Sequence, residues 1–414
     1  MPLASAPLAA ARVAIVHEWL VTPGGAELVL HDILALFPNA DVFCLLDKMA
    51  PAERAALGVT RTTTSFLQRV PGIGRHYRNF LPFFPAAVRS LDVSRYDLVI
   101  SISHAVAKGV TTHDGQLHLC YCCSPMRYAW ELRDQYLREA GLDRGVKGVL
   151  ARALLERMRR WDLANTHGVD AFVALSRFIA ERVERAYGRE SVVVYPPVDT
   201  AFFTPAGGRG NFYVTASRLV PYKRVDLIAR AFRLLADRKL VIIGDGPDAA
   251  KIRAAAGPNV ELVGRKSREE LRGFLRRARA FVFAAEEDFG IAPVEAQACG
   301  TPVIAFGKGG ALETIRAAPH PEPTGVFFDE QSEESLVDAV RRFEASGSSI
   351  TADACRNNAL RFRQELFREG LMGVVQSEWT RHARIRELLG VERSDRRRRA
   401  NGEGLRPSPP HHGP

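Results

Sequence analysis

Hydrophobic and polar positions alternate along the chain in two tandem series of strand-like and helix-like segments. The first series predicts strands at Val13–Val16, Leu98–Ser101, Leu117–Cys122 and Ala171–Leu175, with helices at Ala26–Leu36 and from Ser176. The second predicts strands at Phe212–Ala216, Leu240–Ile243, Val260–Val263, Ala280–Ala284 and Pro302–Ala305, with helices at Arg224–Ala236, Arg268–Arg277 and Pro293–Cys299. Strands that alternate with helices indicate parallel sheets covered on both faces. The fold class expected is α/β, with two doubly wound, Rossmann-like domains facing each other across a cleft.

The break between the two series sets the domain limits that we expect. Pro196 and Pro197 halt regular structure, and the chain up to about Gly210 has the composition of a linker. We expect a tail at 1–11, an N-terminal domain at 12–196, a linker at 197–210, a second domain at 211–370, a helix at 371–390 that returns to the first domain, and a disordered basic tail at 391–414. The first ten residues lack a basic segment, so we interpret them as a short tail rather than a signal peptide.

Composition narrows the function classes. With 46% hydrophobic and 25% charged residues and no apolar run of about 18–20 residues, the chain is expected to be globular without a membrane span. Three of its six cysteines lie in one apolar stretch and none has the Cys/His spacing of a zinc site, which indicates buried free thiols in a reducing compartment, the cytoplasm. The net charge of +10 suits nucleic acid, anionic lipid or phosphate-bearing substrates. No basic groove interleaved with aromatic residues is found, so nucleic acid is not an expected partner.

The segment from Phe281 to Glu295 carries the most informative pattern. A buried strand ends near Ala285, and a helix is predicted to start near Pro293. The backbone amides of Phe289, Gly290 and Ile291 would then lie at a positive helix end, which is an anion site. Glu287 and Glu295 flank that site, and carboxylates accept paired hydrogen bonds from the vicinal hydroxyls of a ribose or a sugar ring. The pattern therefore predicts a phosphate between two sugars.

Two further loops carry candidate site residues. Arg218 and Lys223 follow the first strand of the second series, where two fixed cations can neutralise a departing diphosphate. Gly24 and Gly25 open the first helix of the chain, and His104 follows the strand that ends at Ile100. No Asp-x-Asp occurs, so we expect charge neutralisation by side chains and helix ends, with no metal and no other cofactor.

These motifs resemble the family 4 glycosyltransferases of the GT-B fold, over nearly all of residues 12–390. Glu287 and Glu295 match the family's Glu-x7-Glu, which implies that Glu287 meets the donor sugar and Glu295 holds the ribose. The resemblance implies that Arg218 and Lys223 contact the donor phosphates, that Gly24 and Gly25 face them across the cleft, and that His104 lies beside the sugar. It also implies that the N-terminal domain is the acceptor side, that 211–370 is the donor domain, and that Gly244, Gly264 and Arg265 border the nucleobase.

The segment from Tyr121 to Trp130 resembles a subgroup that builds bacterial surface polysaccharide and includes mannosyltransferases. Its usual His-Thr is replaced here by Cys123 and Ser124. The resemblance implies retaining transfer of a sugar, with mannose from GDP-mannose favoured, to a glycan or a polyprenyl-linked acceptor. The helical stretch Val146–Trp161 has an apolar face bordered by arginines. It either lies on anionic lipid at the inner face of the cell membrane or packs into the core.

Three other function classes are alternatives to a transferase. A nucleotide-sugar epimerase of the same two-domain design would change the sugar without an acceptor. A phosphorylase would bind pyridoxal phosphate through a lysine, and no segment resembles that site. A non-catalytic nucleotide-sugar binding module is the third alternative, and the presence of Arg218, Lys223, Glu287 and Glu295 disfavours it.

Overall fold

The computed structural model describes residues 7–131, 133–139, 141–346 and 349–400. Thirteen strands form two sheets within these ranges. The first sheet contains β1 (Val13–His17), β2 (Asp41–Cys44), β3 (Thr62–Thr64), β4 (Leu98–Ser103), β5 (Leu117–Cys122), β6 (Ala171–Ala174) and β7 (Ser191–Val193). The second contains β8 (Phe212–Ala216), β9 (Lys239–Ile243), β10 (Val260–Gly264), β11 (Ala280–Phe283), β12 (Val303–Phe306) and β13 (Gly325–Phe328). Every predicted strand is present.

Helices connect the strands on both faces of each sheet. Those of the first domain are α1 (Gly25–Leu36), α2 (Pro51–Ala56), α3 (Ile73–His76), α4 (Phe84–Arg89), α5 (Arg133–Glu139), α6 (Gly145–Ala164) and α7 (Arg177–Tyr187). They are followed by α8 (Val225–Arg233), α9 (Ala249–Ala255), α10 (Arg268–Arg277), α11 (Ile291–Ala298), α12 (Ala311–Thr314), α13 (Glu333–Ala345), α14 (Ala352–Ala359) and α15 (Gln364–Ala400). The Ser176 hydroxyl accepts from the amide of Ile179, which confirms the cap predicted for α7.

Both sheets are parallel and share one strand order. The first runs β3-β2-β1-β4-β5-β6-β7, and the second runs β10-β9-β8-β11-β12-β13. In each sheet the order in which strands are added therefore reverses beside the first strand. This reversal lies between β1 and β4 in the first sheet and between β8 and β11 in the second. Ligands of open parallel sheets bind in the crevice beyond the carboxyl ends of the strands at such a reversal. The fold thus places one crevice in each domain.

Burial explains why sequence periodicity located the central strands. All residues of β1, β4 and β5 are buried, as expected for strands covered on both faces. The polar strand β3, with sequence Thr-Thr-Thr, lies at the edge of its sheet and is only partly buried. It carries no apolar run, and for that reason the sequence did not predict it.

The C-terminal segment that returns to the first domain starts earlier than the helix expected at 371–390. Helix α14 ends at Ala359, and a 3-10 turn at Leu360–Phe362 precedes α15. The break lies where the chain crosses the linker, since the Val198 amide donates to the Phe362 carbonyl at 2.9 Å. The return to the first domain begins at Gln364 rather than 371, because the Gln364 amide group already donates to Asp32 of α1 at 3.0 Å.

The basic tail expected to be disordered is helical as far as the structure describes it. Helix α15 continues through 391–400, including Arg396–Arg399. A helix that is already nucleated adds further residues at little cost, and arginine and glutamate are good helix formers. This helix reaches ten residues into the segment expected to be disordered. Residues 401–414, like residues 1–6 of the expected N-terminal tail, lie outside the described ranges.

Candidate active site

The loops that follow the four strands at the two reversals carry most of the predicted site residues. Gly24 and Gly25 follow β1, His104 follows β4, Arg218 and Lys223 follow β8, and Glu287 follows β11. The two crevices face each other, since a Cβ atom placed on Gly25 would lie 3.0 Å from Cδ1 of Ile291 in the other domain. The predicted glycine loop therefore meets the predicted anion site across the cleft.

Lys223 and Glu287 form an ion pair between two loops of the second domain. Their side chains are 18% and 15% exposed. Burial, with the charge of Arg127 as the second cause, lowers the pKa of Lys223 to about 8. Lys223 therefore remains a cation at neutral pH in a site of reduced dielectric, where its field acts more strongly on a neighbouring anion than in water. The structure thus brings together Lys223, which is predicted to bind phosphate, and Glu287, which is predicted to bind the donor sugar.

The amino end of α11 lies beside this pair. The helix begins at Ile291, two residues before the predicted start, so Pro293 is its third residue. Gly290 precedes it with φ 89°, a left-handed conformation that glycine adopts without strain. Within the part of the chain that the structure describes, no acceptor is found for the amides of Phe289, Gly290 and Ile291. The anion site predicted there keeps its donors available.

Glu295 lies in a different environment from Glu287. Its charged neighbours are Arg268 and Asp199 rather than Lys223. Burial raises the pKa of Glu295 to about 7; the charge of Arg268 opposes this shift and that of Asp199 adds to it. Among the described residues, no hydrogen-bond or ion-pair partner is found for its carboxyl group. A half-buried carboxylate without a protein partner suits ligand hydroxyl groups.

His104 is held at the carboxyl end of β4 by residues of the first domain. Its ring meets the Trp19 ring edge-on at 4.9 Å, and its amide donates to Oε1 of Glu18 at 3.1 Å. Burial lowers the pKa of His104 to about 4, and the charges of Arg127 and Arg78 add to this effect. At neutral pH the imidazole is therefore uncharged and can donate or accept a hydrogen bond.

Arg218 lies on the same loop as Lys223 but outside the ion pair. Its side chain is exposed, and its charge acts on the phenol of Tyr222. No polar partner of the guanidinium is found among the described residues. The structure thus leaves Arg218 at the mouth of the cleft, next to the loop that carries Lys223.

Three predicted donor-binding residues lie at the ends of β9 and β10, farther from the reversal. Gly244 has φ 139°, and a Cβ atom there would lie 1.9 Å from the carbonyl oxygen of Ser217, so loop packing alone requires a glycine. Gly264 has φ 72° and no atom within 4 Å of an added Cβ. Arg265 is exposed and approaches Glu53 of the first domain at 3.9 Å. The structure does not bring these residues into contact with Glu287.

Sequence reasoning missed the ionic group that joins the domains beside Glu287. Asp288 forms ion pairs with Arg127 and, at 2.9 Å, with Arg182, both from the first domain. The Ser176 hydroxyl donates to the Asp288 carbonyl at 2.6 Å. Only the run of three acids from Glu286 to Asp288 could have drawn attention to this position. The two arginines fix the loop that presents Glu287.

Two other carboxylates organise the loops around the cleft. Glu18, directly after β1, accepts from the amides of Ala105, Val106 and Ala107 at 2.7, 2.9 and 3.1 Å. This carboxylate orders the loop that follows His104. Glu18 follows β1 and the loop of Ala105 follows β4, so both lie where the strand order of the first sheet reverses. No sequence pattern predicted the contact between them.

Glu313 connects the second domain to α7 of the first. Its carboxylate accepts from the amides of Arg177 and Phe178 at 2.9 Å each and from the Tyr195 hydroxyl at 2.9 Å. The preceding Gly309 packs against the Glu287 carbonyl, since a Cβ there would lie 2.4 Å from that oxygen. One short segment thus supports the Glu287 loop and contacts the opposite domain.

The described residues contain neither a metal site nor a membrane-spanning helix. There, no three or more histidine, cysteine, aspartate and glutamate side chains are grouped so that they could hold a metal ion. None of the described helices combines the length and the apolar character that crossing a bilayer requires.

Two facing parallel α/β sheets with the site residues at both reversals define a two-domain protein of the GT-B fold. Residues 200–362 match the family model of Glycosyl transferases group 1, so this part of the chain is a glycosyltransferase group 1 domain. The glycosyltransferase resemblance inferred from the sequence motifs is confirmed for these residues.

Curated relatives are similar over part of their length. The chain is 32% identical over 244 residues to a GDP-mannose-dependent monoacylated alpha-(1-6)-phosphatidylinositol monomannoside mannosyltransferase of Corynebacterium glutamicum, covering 51% of this chain and 63% of the relative. It is 29% identical over 266 residues to the GDP-mannose-dependent alpha-(1-6)-phosphatidylinositol monomannoside mannosyltransferase of Mycolicibacterium smegmatis, covering 55% and 64%. The chain thus spans less than two thirds of these relatives.

Solved structures agree on the fold. The Anabaena protein HepE in complex with UDP superposes with a TM-score of 0.64 at 16% identity, covering 88% of this chain and 100% of that one. Sucrose-phosphate synthase of Thermosynechococcus elongatus gives a TM-score of 0.65 at 17% identity, covering 89% and 99%. At these identities the likeness concerns the architecture of both domains.

Proposed function

We propose that this protein is a retaining, metal-independent glycosyltransferase that moves mannose from GDP-mannose to a glycan or polyprenyl-linked acceptor in cell-surface polysaccharide synthesis. The observation that carries the proposal is the ion pair of Lys223 and Glu287 at the open amino end of α11. A cation, unbonded helix amides and a carboxylate are the groups that a sugar diphosphate requires within one crevice.

The donor lies in the crevice of the second domain. Its diphosphate is bound by Lys223, Arg218 and the amides of Phe289–Ile291, and its ribose hydroxyls by Glu295. Gly24 and Gly25 cover the phosphates from the first domain, because the missing side chain of Gly25 lets two helix ends approach. Gly244, Gly264 and Arg265 border the nucleobase.

Transfer begins as the bond between the sugar C1 and the diphosphate oxygen weakens. Negative charge then grows on the diphosphate, where Lys223, Arg218 and two helix ends stabilise it more than in the ground state. Glu287 orients the sugar hydroxyls, and neutral His104 binds the sugar from the opposite domain. The acceptor hydroxyl attacks from the face that the diphosphate leaves and passes its proton to the departing diphosphate oxygen, so that the anomeric configuration is retained.

Neutralisation by these side chains replaces the divalent cation that other sugar transferases hold. Lys223 and Arg218 supply two positive charges, and the two facing helix ends add partial charges. No bound metal and no other cofactor is required in this scheme. Full activity in the presence of a chelator would support it, and strict dependence on a divalent cation would refute it.

The choice of mannose and guanine rests on relatives. Two mannosyltransferases with GDP-mannose in their names share about 30% identity with this chain, whereas the structural neighbour HepE holds UDP. A thermal-shift panel of nucleoside diphosphates and their sugars tests the base, since a ligand of the folded state raises its stability. Stabilisation by GDP and GDP-mannose is expected. Stabilisation by UDP alone would overturn the guanine assignment.

The acceptor side is assigned to the first domain, at the inner face of the cell membrane in the cytoplasm. The amino half of α6 exposes Val146, Val149 and Leu150, which are 77%, 63% and 65% accessible, while Leu155 and Met158 farther along are buried. Neighbouring basic residues, Lys147 and Arg152 among them, suit an anionic surface. Co-sedimentation with vesicles containing phosphatidylglycerol is expected. No binding, or equal binding to neutral vesicles, would contradict peripheral anionic contact.

Transfer is distinguished from epimerisation by its need for an acceptor. Incubation of the protein with the nucleotide sugar alone should leave the donor sugar unchanged by mass and by chromatography. A nucleotide sugar converted to its epimer without an acceptor would replace the proposal by the epimerase alternative. Binding without any turnover, with every acceptor tested, would indicate a binding module.

A further inference from the structure

A cavity lined by arginines opens beside the cleft, outside the residues assigned to the donor. It has a volume of about 370 Å³ and lies between the segment that follows β5 and helices α6 and α7. Five arginines contribute to its wall against a single acidic residue, Glu131. These arginines are Arg127, Arg133, Arg159, Arg182 and Arg185.

Two of the arginines are fixed in place by aromatic rings. The Arg159 guanidinium lies 4.6 Å from the centre of the Trp130 ring, and that of Arg182 lies 4.2 Å from the Phe178 ring. A stacked guanidinium loses little further freedom when it binds an anion, so its hydrogen bonds contribute more to affinity. The wall is therefore organised before any ligand arrives.

Each of these arginines has an acidic partner, but most of the pairs are exposed to solvent. Glu131 is shared by Arg182 and Arg185, and Asp288 is shared by Arg182 and Arg127. The remaining acidic partners, on Arg133, Arg159 and Arg185, are also exposed, as Glu131 is. They are Asp134, Glu156 and Glu181, with side chains 67%, 36% and 66% accessible. Pairs exposed in this way are weak, so an anion in the cavity can displace them.

The cavity continues toward the exposed apolar part of α6. A second cavity of about 490 Å³ shares Arg133 with the first and has Arg138, Arg144 and Arg152 in its wall, with Asp134 and Asp143. The chain segment at Asp143 and Arg144, which lines this second cavity, leads directly into α6. Val146, Val149 and Leu150 are exposed there. A basic path thus joins the cleft to an apolar surface.

We propose that the arginine cavity binds the phosphate or diphosphate group that links the acceptor glycan to its lipid. The inference rests on the proposed glycosyltransferase function and assigns it an acceptor subsite. The guanidinium group of arginine can donate two hydrogen bonds to two oxygens of one phosphate. The apolar surface beyond the basic path suits the lipid chain. Arg127 and Arg182 also hold Asp288, the neighbour of Glu287. Occupation of the cavity therefore acts on the loop that presents Glu287.

Binding is measured on the full chain with the donor site saturated by GDP. Three probes separate the sources of phosphate: farnesyl diphosphate, farnesol and inorganic pyrophosphate. Farnesyl diphosphate is expected to bind at least about tenfold tighter than either of the others, as charge-assisted hydrogen bonds and an apolar chain add. Equal binding of farnesol would exclude a phosphate subsite. Equal binding of pyrophosphate would assign the cavity to a free phosphate ligand and overturn the lipid-linked acceptor.

Arg159→Gln and Arg160→Gln form a matched pair of variants. Both residues lie on α6 and pair with Glu156, at 3.7 and 3.3 Å, but only Arg159 lines the cavity. Arg159→Gln should weaken the binding of farnesyl diphosphate about tenfold and leave the binding of GDP intact. Arg160→Gln should change neither affinity. Equal effects of the two variants on farnesyl diphosphate would overturn the subsite.

The transfer assay gives a readout that separates this inference from the proposed function. KM is compared for a glycan on a lipid diphosphate and for the same glycan on an alkyl chain without phosphate. Arg159→Gln should raise KM for the first acceptor alone. Transfer to both acceptors with the same KM would refute the subsite but not the transferase function. Failure of every nucleotide sugar to react would refute the transferase, and the farnesyl diphosphate comparison would still decide the subsite.

Discussion

Gly25 at the amino end of α1 lies against Ile291 at the amino end of α11, although the two residues belong to different domains. An added Cβ on Gly25 would come within 3.0 Å of Cδ1 of Ile291. The positive ends of two helices therefore approach each other across the cleft, and glycine allows this approach.

Gly25→Val should disturb this contact and weaken donor binding. The added side chain requires the domains to separate at the phosphate position, so we expect KM for the donor to rise about tenfold or more, on the order of one lost charge-assisted contact. Steady-state kinetics with varied donor measure the effect. Gly207→Ala is the control, because an added Cβ there meets no atom within 4 Å. An unchanged KM in Gly25→Val would refute the phosphate role of the loop.

Lys223 should set the alkaline limit of the reaction. Its pKa is about 8 in the free protein, and only the cation neutralises the leaving diphosphate. The value of kcat/KM for the donor should therefore fall as the pH rises above about 8, since that ratio reports groups of the free enzyme. Lys223→Arg should shift the fall to higher pH, because arginine keeps its proton. A pH profile identical in both proteins would show that another group titrates.

Glu295→Gln should stabilise the fold while it weakens nucleotide binding. Burial raises the pKa of Glu295 from its ordinary value of 4.5 to about 7. At pH 4 the carboxyl is protonated in both states, so the variant should unfold like the parent. Between these two pKa values the unfolded chain releases its proton first, and the folded state loses stability as the pH rises. At pH 8 the substitution should therefore stabilise the fold by about 1–3 kcal/mol.

Urea unfolding at pH 4 and pH 8, with GDP titration at pH 8, measures both effects of Glu295→Gln. The gain in stability should appear at pH 8 alone, and the affinity for GDP should fall. A stability gain of the same size at both pH values would contradict the burial of the charge. Unchanged GDP affinity would contradict the ribose assignment of Glu295.

Glu313→Ala should loosen the contact between the domains. The carboxylate caps α7 through the amides of Arg177 and Phe178, and loss of a helix cap costs about 0.5–2 kcal/mol. A lower free energy of unfolding and a higher donor KM are expected together. Glu322→Ala is the control, since that side chain is 59% exposed and pairs with Arg316 rather than with a helix terminus. Equal effects of the two substitutions would argue against the cap.

The central sheets and the donor corner were predictable because each has a local signature. Apolar runs marked β1, β4 and β5, and the spacing of Glu287 and Glu295 around Gly290 marked the helix end. The edge strand β3 lacks an apolar run, and the helical state of 391–400 depends on the helix that precedes it. The partners of Asp288, Glu18 and Glu313 come from segments far apart in the chain. No local pattern predicts such pairs, because only the packing of the two domains brings them together.

The central claim is that the crevice around Glu287 transfers a sugar from a nucleotide. The most direct test is mass spectrometry of the products formed from GDP-mannose and a lipid-linked acceptor, with Glu287→Gln compared with Glu286→Gln, whose side chain is exposed. The parent and Glu286→Gln should release GDP and add one hexose to the acceptor. Glu287→Gln should do so about 10²–10³-fold more slowly, as for the loss of one group that acts on the transition state. Equal rates in the two variants, or no hexose transfer by the parent from any nucleotide sugar, would contradict the account.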